Sequence, residues 1–184
     1  MTEIRRCDWA YASDELMLNY HDQQWGKPCF DDQELFEMLI LEGAQAGLSW
    51  STILKKRARY HEVFDGFDPQ IVANYGDEKV ASLLQDPGIV RNRLKIAATI
   101  TNAKCVLELG SLSDYVWAFV DHTPIVGDWL SFEEMPLTTP LAEQISKDLK
   151  KKGFTFVGPT IIYSWLQAIG VVNDHMAWCE RQPS

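Results

Sequence analysis

At 184 residues the chain favours one domain with enough core to fold without staples. Its 46% hydrophobic and 23% charged residues exclude a disordered chain, and no run of about 18 apolar residues suggests a membrane span. The start, Met-Thr-Glu-Ile-Arg-Arg, leads straight into polar and aromatic residues, so no secretory signal is expected, and four scattered cysteines (Cys7, Cys29, Cys105, Cys179) read as reduced thiols in a cytoplasmic protein. A net charge of −9, from 17 basic and 26 acidic residues, argues against indiscriminate coating of nucleic acid. The basic residues are clustered all the same, at Lys55-Lys56-Arg57-Ala-Arg59, at Arg91-Asn-Arg93-Leu-Lys95 and at Lys147 with Lys150-Lys151-Lys152. Two of these on one face would make a basic patch on an acidic protein; otherwise each is a solvated helix face.

In chain order, the first segment carries Cys7 and Trp9, and Asp14 then opens a helical pattern that includes Tyr20 and His21. Trp9, Tyr20, Trp25 and Trp50 crowd the first 50 residues. Such rings either fill a helical core or offer flat, electron-rich faces to a planar cation. Asp31 with Glu34 has the spacing of a capping box for a helix from about Asp31 to Gly47. Its apolar stripe, Leu35, Met38, Leu39 and Ala46, has Glu42 set within it. A carboxylate facing a core needs a buried cation or borders a cavity that receives something; a slight rotation of the helix would instead leave it at the stripe's edge. Gly43 and Gly47 suggest close approach by a backbone or ligand.

Further along, Asp68-Pro69 and Thr139-Pro140 place a cap before a proline at the first helical position, and Gly47, Gly76, Gly110, Gly153 and Gly170 read as helix stops. Leu83 to Arg93 reads as helix, Pro87-Gly88 turn, then basic helix. Free amides at the start of the second helix, with Arg91, Arg93 and Lys95 beside them, would suit a phosphate. Only Phe154-Thr-Phe-Val157 looks strand-like. His175 and Cys179 share one helical face, far in sequence from Cys7 and His21. Two Cys and two His would make a closed structural zinc site, but the spacing alone leaves open whether they are ligands or core residues. Cys29 and Cys105 read as packing residues. The expected fold is a single all-α domain of roughly eight to ten helices.

Together, Cys7-Asp-Trp9, Tyr20-His21-Asp22-x-x-Trp25-Gly26, Leu41-Glu42-Gly43, Gln45-Ala-Gly-Leu-Ser-Trp50, Gly88-Ile89, Gly153-Phe-x-Phe-Val-Gly158 and Asn173-Asp174-His175-x-x-x-Cys179 span nearly the whole chain. In these motifs the sequence resembles the 3-methyladenine DNA glycosylase I family of the helix–hairpin–helix superfamily. The resemblance implies one domain over 1–184, a hairpin at about 80–100, and chain ends 1–25 and 170–180 joined by a structural zinc on Cys7, His21, His175 and Cys179. It implies excision of 3-methyladenine from alkylated double-stranded DNA by base flipping, with free base as product and a monomer as the working form. Glu42 and Tyr20 take the catalytic positions, and Glu42, Trp50, Trp9, Tyr20 and Trp25 the base pocket. Gly88, Ile89, Val90, Arg91, Arg93 and Lys95 take the DNA-binding positions.

Two departures stand out: Met17 lies where the family has a second pocket tyrosine, and Pro159 follows Gly158 in place of threonine. Many hairpin-bearing relatives carry an Asp just downstream of the turn, whereas Arg91 to Lys104 holds no acid here. Leaving-group recognition, not a strong base, is therefore expected to supply most of the rate, with Asp121, Asp128 and Glu133 the other acids to test. Two other readings fit the same residues: a non-catalytic zinc-stabilised DNA-binding module, and a helical enzyme for another cationic purine nucleoside.

Overall fold

A computed structural model describes residues 4–11 and 14–183. Among these are ten α-helices: α1 (Asp8–Tyr11), α2 (Glu15–Gln23), α3 (Asp32–Gln45), α4 (Trp50–Val63), α5 (Pro69–Val72), α6 (Asp77–Gln85), α7 (Arg93–Leu109), α8 (Leu112–Ala118), α9 (Pro140–Lys151) and α10 (Pro159–Ala168). The caps behave as their chemistry dictates. Asp14, Asp31, Ser49, Asp68, Asn92, Ser111 and Thr139 each accept from a backbone amide of the first turn, and Pro69, Pro140 and Pro159 sit at helix starts, where a missing N–H costs nothing. No helix is long and apolar enough to cross a membrane among the described residues.

The core is organised around α3. Every residue from Leu35 to Ala44 is buried, so this helix is enclosed on all sides and not striped. Helices α4, α7, α8 and α10 pack against it. The expectation of one apolar face thus understates its burial, and two acids, Glu37 and Glu42, are enclosed with it.

Gly47, Gly110, Gly153 and Gly170 follow helix ends at positive φ, as expected of helix stops; Gly76 is the exception. Gly47 adopts φ +80° in the turn after α3, with open space where a side chain would project; Gly43 lies against Phe156 at ordinary contact distance. Gly43 thus meets a neighbouring backbone, one of the two approaches expected of it, whereas Gly47 meets none. Gly76 caps the start of α6 and does not stop a helix. Gly170, at φ +74°, ends α10 where the chain crosses the Lys27–Pro28 backbone so closely that any Cβ would collide with it.

Phe154–Val157 is not a strand. The extended pairing lies elsewhere, in a short parallel ladder between β1 (Ile125–Val126) and β2 (Val172–Asn173). It ties the 120s loop to the C-terminal segment. That segment also meets the other end of the chain, where Glu180 N donates to Arg5 O at 3.0 Å and Arg5 N to Glu180 Oε1 at 3.2 Å.

Candidate functional site

Helices α2, α3 and α10, the start of α4 and the Phe132–Leu137 loop enclose a cavity of about 320 Å³. Trp9, Met17, Tyr20, Trp25, Glu42 and Trp50 line one side; Met135, Leu137, Tyr163 and Gln167 are on the other. The volume suits a small planar ligand.

Glu42 and Glu37 show how one helix treats two buried acids. Glu37 is ion-paired, receiving Arg57 Nε at 2.6 Å and His61 Nδ1 at 3.0 Å. Glu42 faces the cavity, with no hydrogen bond or ion pair to any described residue. Burial, opposed by no partner, pushes its carboxyl up to about 8. A buried acid in that state gains most from a cation or donor brought to it.

The rings are arranged around this carboxyl. Tyr20 and Trp50 lie 5.3 Å apart at a 48° tilt. Trp50 opens α4, three positions beyond Gly47, and its indole Nε1 is buried without a partner among the described residues. Burial, reinforced by Glu42, raises the Tyr20 hydroxyl well above its ordinary value, so it remains an O–H donor at physiological pH. Met17 is buried in the same wall and contributes a thioether.

Cys7, His21, His175 and Cys179 converge behind Trp9 and Trp25, all four buried, with their ligand atoms within 4.8 Å of one another. Cys179 Sγ is 3.6 Å from His21 Nε2 and 3.6 Å from His175 Nδ1, and Cys7 Sγ is 3.7 Å from His175 Nδ1. A tetrahedral ion with bonds of about 2.3 Å to sulfur and about 2.05 Å to nitrogen would space such atoms about 3.6 Å apart, so the donors fit a metal. The outward nitrogens are engaged as ligating imidazoles require: His21 Nδ1 meets Asp22 Oδ1 at 2.9 Å, and His175 Nε2 meets the Trp25 carbonyl oxygen at 3.0 Å. Burial alone would push the Asp22 carboxyl up, but hydrogen bonds from Arg6, His21 and Arg181 hold it below the usual carboxylate range. A cluster of four residues has thus been assembled from both chain ends.

The hairpin is α6, a loop over 86–92 and α7, so the second helix begins at Arg93, later than the turn suggests. Asp86 Oδ1 accepts from Gly88 N at 2.8 Å, Tyr60 Oη from Val90 N at 3.1 Å, and the Pro87 carbonyl from Lys56 Nζ at 2.9 Å. Ile89 is buried, whereas Arg91 and Arg93 are exposed and make no hydrogen bond or ion pair through their side chains among the described residues. Lys95, grouped with them by sequence, is placed differently. Its ammonium donates to the carbonyls of Ala44 at 2.8 Å and Ala46 at 2.7 Å, closing the C-terminal end of α3.

The cluster Lys55–Arg59 is likewise committed within the fold: Lys55 to Asp14, Lys56 to Pro87, Arg57 to Glu37, and Arg59 to Asp86 and Glu62. The lysines of α9 form a solvated face.

A family model for methyladenine glycosylases matches residues 9–182. The chain belongs to the methyladenine glycosylase family. DNA-3-methyladenine glycosylase 1 of Escherichia coli (strain K12) is 48% identical over 180 residues, covering 96% of each chain. A crystal structure of 3-methyladenine DNA glycosylase I matches with a TM-score of 0.94 at 48% identity, over 97% of this chain and 100% of that one. A crystal structure of a tyrosine-to-phenylalanine variant of 3-methyladenine DNA glycosylase I, in complex with 3-methyladenine, matches with a TM-score of 0.91 at 37% identity, over 95% of this chain and 97% of that one.

In this methyladenine glycosylase, sequence reasoning missed part of the cavity lining: Gln45 on α3, Phe132, Met135 and Leu137 in the loop, and Thr160, Tyr163, Ser164 and Gln167 on α10. The one local signal was the four-residue step from Tyr163 to Gln167 on α10, which repeats a polar-tipped side chain on one helix face. Asp121, Asp128 and Glu133 are exposed and lie outside the cavity lining.

Proposed function

We propose that this methyladenine glycosylase excises 3-methyladenine from alkylated double-stranded DNA, flipping the nucleotide and hydrolysing its N-glycosidic bond to leave an abasic site. The observation that carries this reading is Glu42: a buried, unpaired carboxyl in a ring-lined cavity of purine size. Methylation at N3 makes adenine a cation. Desolvation, which disfavours the carboxylate in the free protein, is offset when that cation arrives, and normal adenine brings no such compensation. Trp9, Tyr20, Trp25 and Trp50 present their electron-rich faces to the same charge.

The lesion's charge also makes the base a ready leaving group. As the glycosidic bond breaks, its electron pair passes to the ring, leaving positive charge on the sugar; water adds at that carbon and loses a proton to solvent. Glu42 binds and orients the leaving base through the cleavage, and Tyr20 keeps an O–H available to base or water. Binding selectivity for an already weakened bond carries most of the catalysis, since Glu42 is the one acid among the described residues lining the cavity.

Zinc is the proposed ion for Cys7, His21, His175 and Cys179, because two thiolates and two imidazoles in a closed tetrahedral set suit it. Its contribution when bound is structural: it joins the chain ends of one domain and backs Trp9 and Trp25. The hairpin would grip a DNA phosphate through the exposed Arg91 and Arg93 beside the first amides of α7, with Gly88, Ile89 and Val90 shaping the turn that presents them, since the Gly88 and Val90 amides are held by Asp86 and Tyr60. Lys95 would act there indirectly, by bracing α3 against α7. The working form is taken as a cytoplasmic monomer.

The test is to incubate the protein with methylated duplex DNA and resolve released bases by chromatography. Free 3-methyladenine is expected, with Glu42→Gln slower by about 100-fold or more. Intact binding to abasic-site DNA without base release would overturn the catalytic reading.

A further inference from the structure

The α10 side of the cavity carries a second acceptor whose identity is determined by a residue behind it. Gln167 lines the cavity from α10 and is nearly enclosed, with 9% of its surface exposed. Its Nε2 donates to Asp174 Oδ2 at 2.8 Å and lies 3.2 Å from Met135 Sδ. Its Oε1 receives nothing from any described residue, and it is not among the side-chain atoms both sealed from solvent and unpartnered. The amide therefore turns its nitrogen toward the protein and its oxygen toward the cavity.

An amide could sit either way round; here one carboxylate decides. Asp174 is 1% exposed and also accepts from the Tyr163 hydroxyl and from Trp129 Nε1 at 2.7 Å. Trp129 Nε1 can only donate and occupies Oδ1, while the Tyr163 hydroxyl and Gln167 meet Oδ2, so the carboxyl acts as the acceptor at the centre of three donors and pairs with the NH₂ end of Gln167. Gly127 leaves the space this network needs, since a Cβ there would collide with Asp174 Oδ1 and Trp129 Nε1.

Resting on the base-excision reading above, we infer that Gln167 is a specificity-determining residue that accepts a hydrogen bond from the exocyclic amine of 3-methyladenine, and that Asp174 is the positioning residue that keeps its oxygen outward. The two methylated purines differ where it matters. 3-Methyladenine offers an amine at C6, a donor; 3-methylguanine offers a carbonyl oxygen there, an acceptor. Two acceptors facing each other, without water between them, are unfavourable, so the locked oxygen admits adenine and excludes guanine.

Asp174→Asn tests this directly, because it keeps the shape while turning the second acceptor into a donor. The new amide nitrogen pairs with Gln167 Oε1, and Gln167 rotates to present its NH₂ group to the cavity. Gln167→Met removes the amide and keeps its length. For each protein, binding of free 3-methyladenine and free 3-methylguanine is followed by tryptophan fluorescence, and release of both bases from methylated DNA is measured alongside, with metal content and thermal unfolding as controls. The expected result for Asp174→Asn is a shift of about tenfold or more in the binding ratio toward 3-methylguanine; Gln167→Met should bind the two bases nearly alike. A wild-type ratio in either variant, with metal content and folding retained, would overturn the inference. Wild-type protein that discriminates the free bases yet releases none from DNA would instead overturn the excision reading alone. If Asp174→Asn proves too unstable to assay, Gln167→Met decides by the same ratio.

Discussion

His175 and Trp25 join the Cys/His cluster to the cavity: the imidazole Nε2 lies 3.0 Å from the Trp25 carbonyl oxygen, and the two rings meet edge to face at 4.8 Å. Trp25 lines the cavity with the same indole. If the proposed zinc is bound, two of its ligands come from each end of the chain, so its loss would release both ends and remove the support behind Trp9 and Trp25. Purified protein should contain one zinc per chain by elemental analysis. Chelation, or His175→Ala, is expected to lower the melting temperature by on the order of 10 °C, because several kcal/mol of binding free energy contribute directly to folding. Binding of 3-methyladenine should weaken in parallel.

Glu42 gives a pH signature with a definite sign. Its carboxyl lies at about 8 in the folded protein and near 4.3 when unfolded, so the folded state holds the extra proton between those values. The stability this contributes is fully present below about 4.3 and is lost as pH rises through about 8, by ~1.4 kcal/mol per unit across the window. Glu42→Gln removes the titration. The variant's gain in melting temperature over wild type should widen from pH 5 to pH 8 and level off above it, and a constant gap would show that Glu42 does not titrate in that range. In excision, wild-type kcat/KM should climb with pH toward about 8, with no matching rise in the variant. Substitution of Asp121, Asp128 or Glu133 should leave the rate near wild type.

Met17 provides a third test. Its thioether packs in the cavity wall beside Tyr20 but offers no strong donor. Met17→Tyr supplies a ring and a hydroxyl at that position. Titration with 3-methyladenine should show binding tightened by up to about tenfold, the worth of one added hydrogen bond. Unchanged or weaker binding would mean that the thioether already fills its place as well as a ring can.

What could be read in advance follows how local each signal is. Helix caps involve residues three apart, and Asp14, Asp31, Asp68 and Thr139 all hold a first-turn amide as their spacing suggests. Glu42 stood out because a carboxylate among Leu35, Leu39 and Ala46 has no local reason to be there. The pairing of Ile125–Val126 with Val172–Asn173 left no trace, since two residues are too few to show alternation and their partners are 47 positions away. The cavity lining from α10 and the Phe132–Leu137 loop was hidden for the same reason. The charge of Lys55–Arg59 misled for another: a run of cations says nothing about which carboxylates and carbonyls the fold will bring to meet them.

The hairpin separates two kinds of cation, and a salt titration tells them apart. Arg91 and Arg93 have free side chains beside the α7 amides, whereas Lys95 holds the Ala44 and Ala46 carbonyls and is partly buried, which pushes its ammonium below the ordinary lysine value. If each arginine neutralises one phosphate, Arg91→Ala or Arg93→Ala should weaken binding to abasic-site duplex and reduce the slope of log K against log salt by about 0.9. Neither should alter binding of free 3-methyladenine. Lys95→Met should do the reverse: unfolding stability falls by about 1 kcal/mol because the helix-end carbonyls, that of Ala44 partly buried, lose their donor, while the salt slope stays near wild type. A full unit lost from the slope in Lys95→Met would place that ammonium on DNA and not on α3.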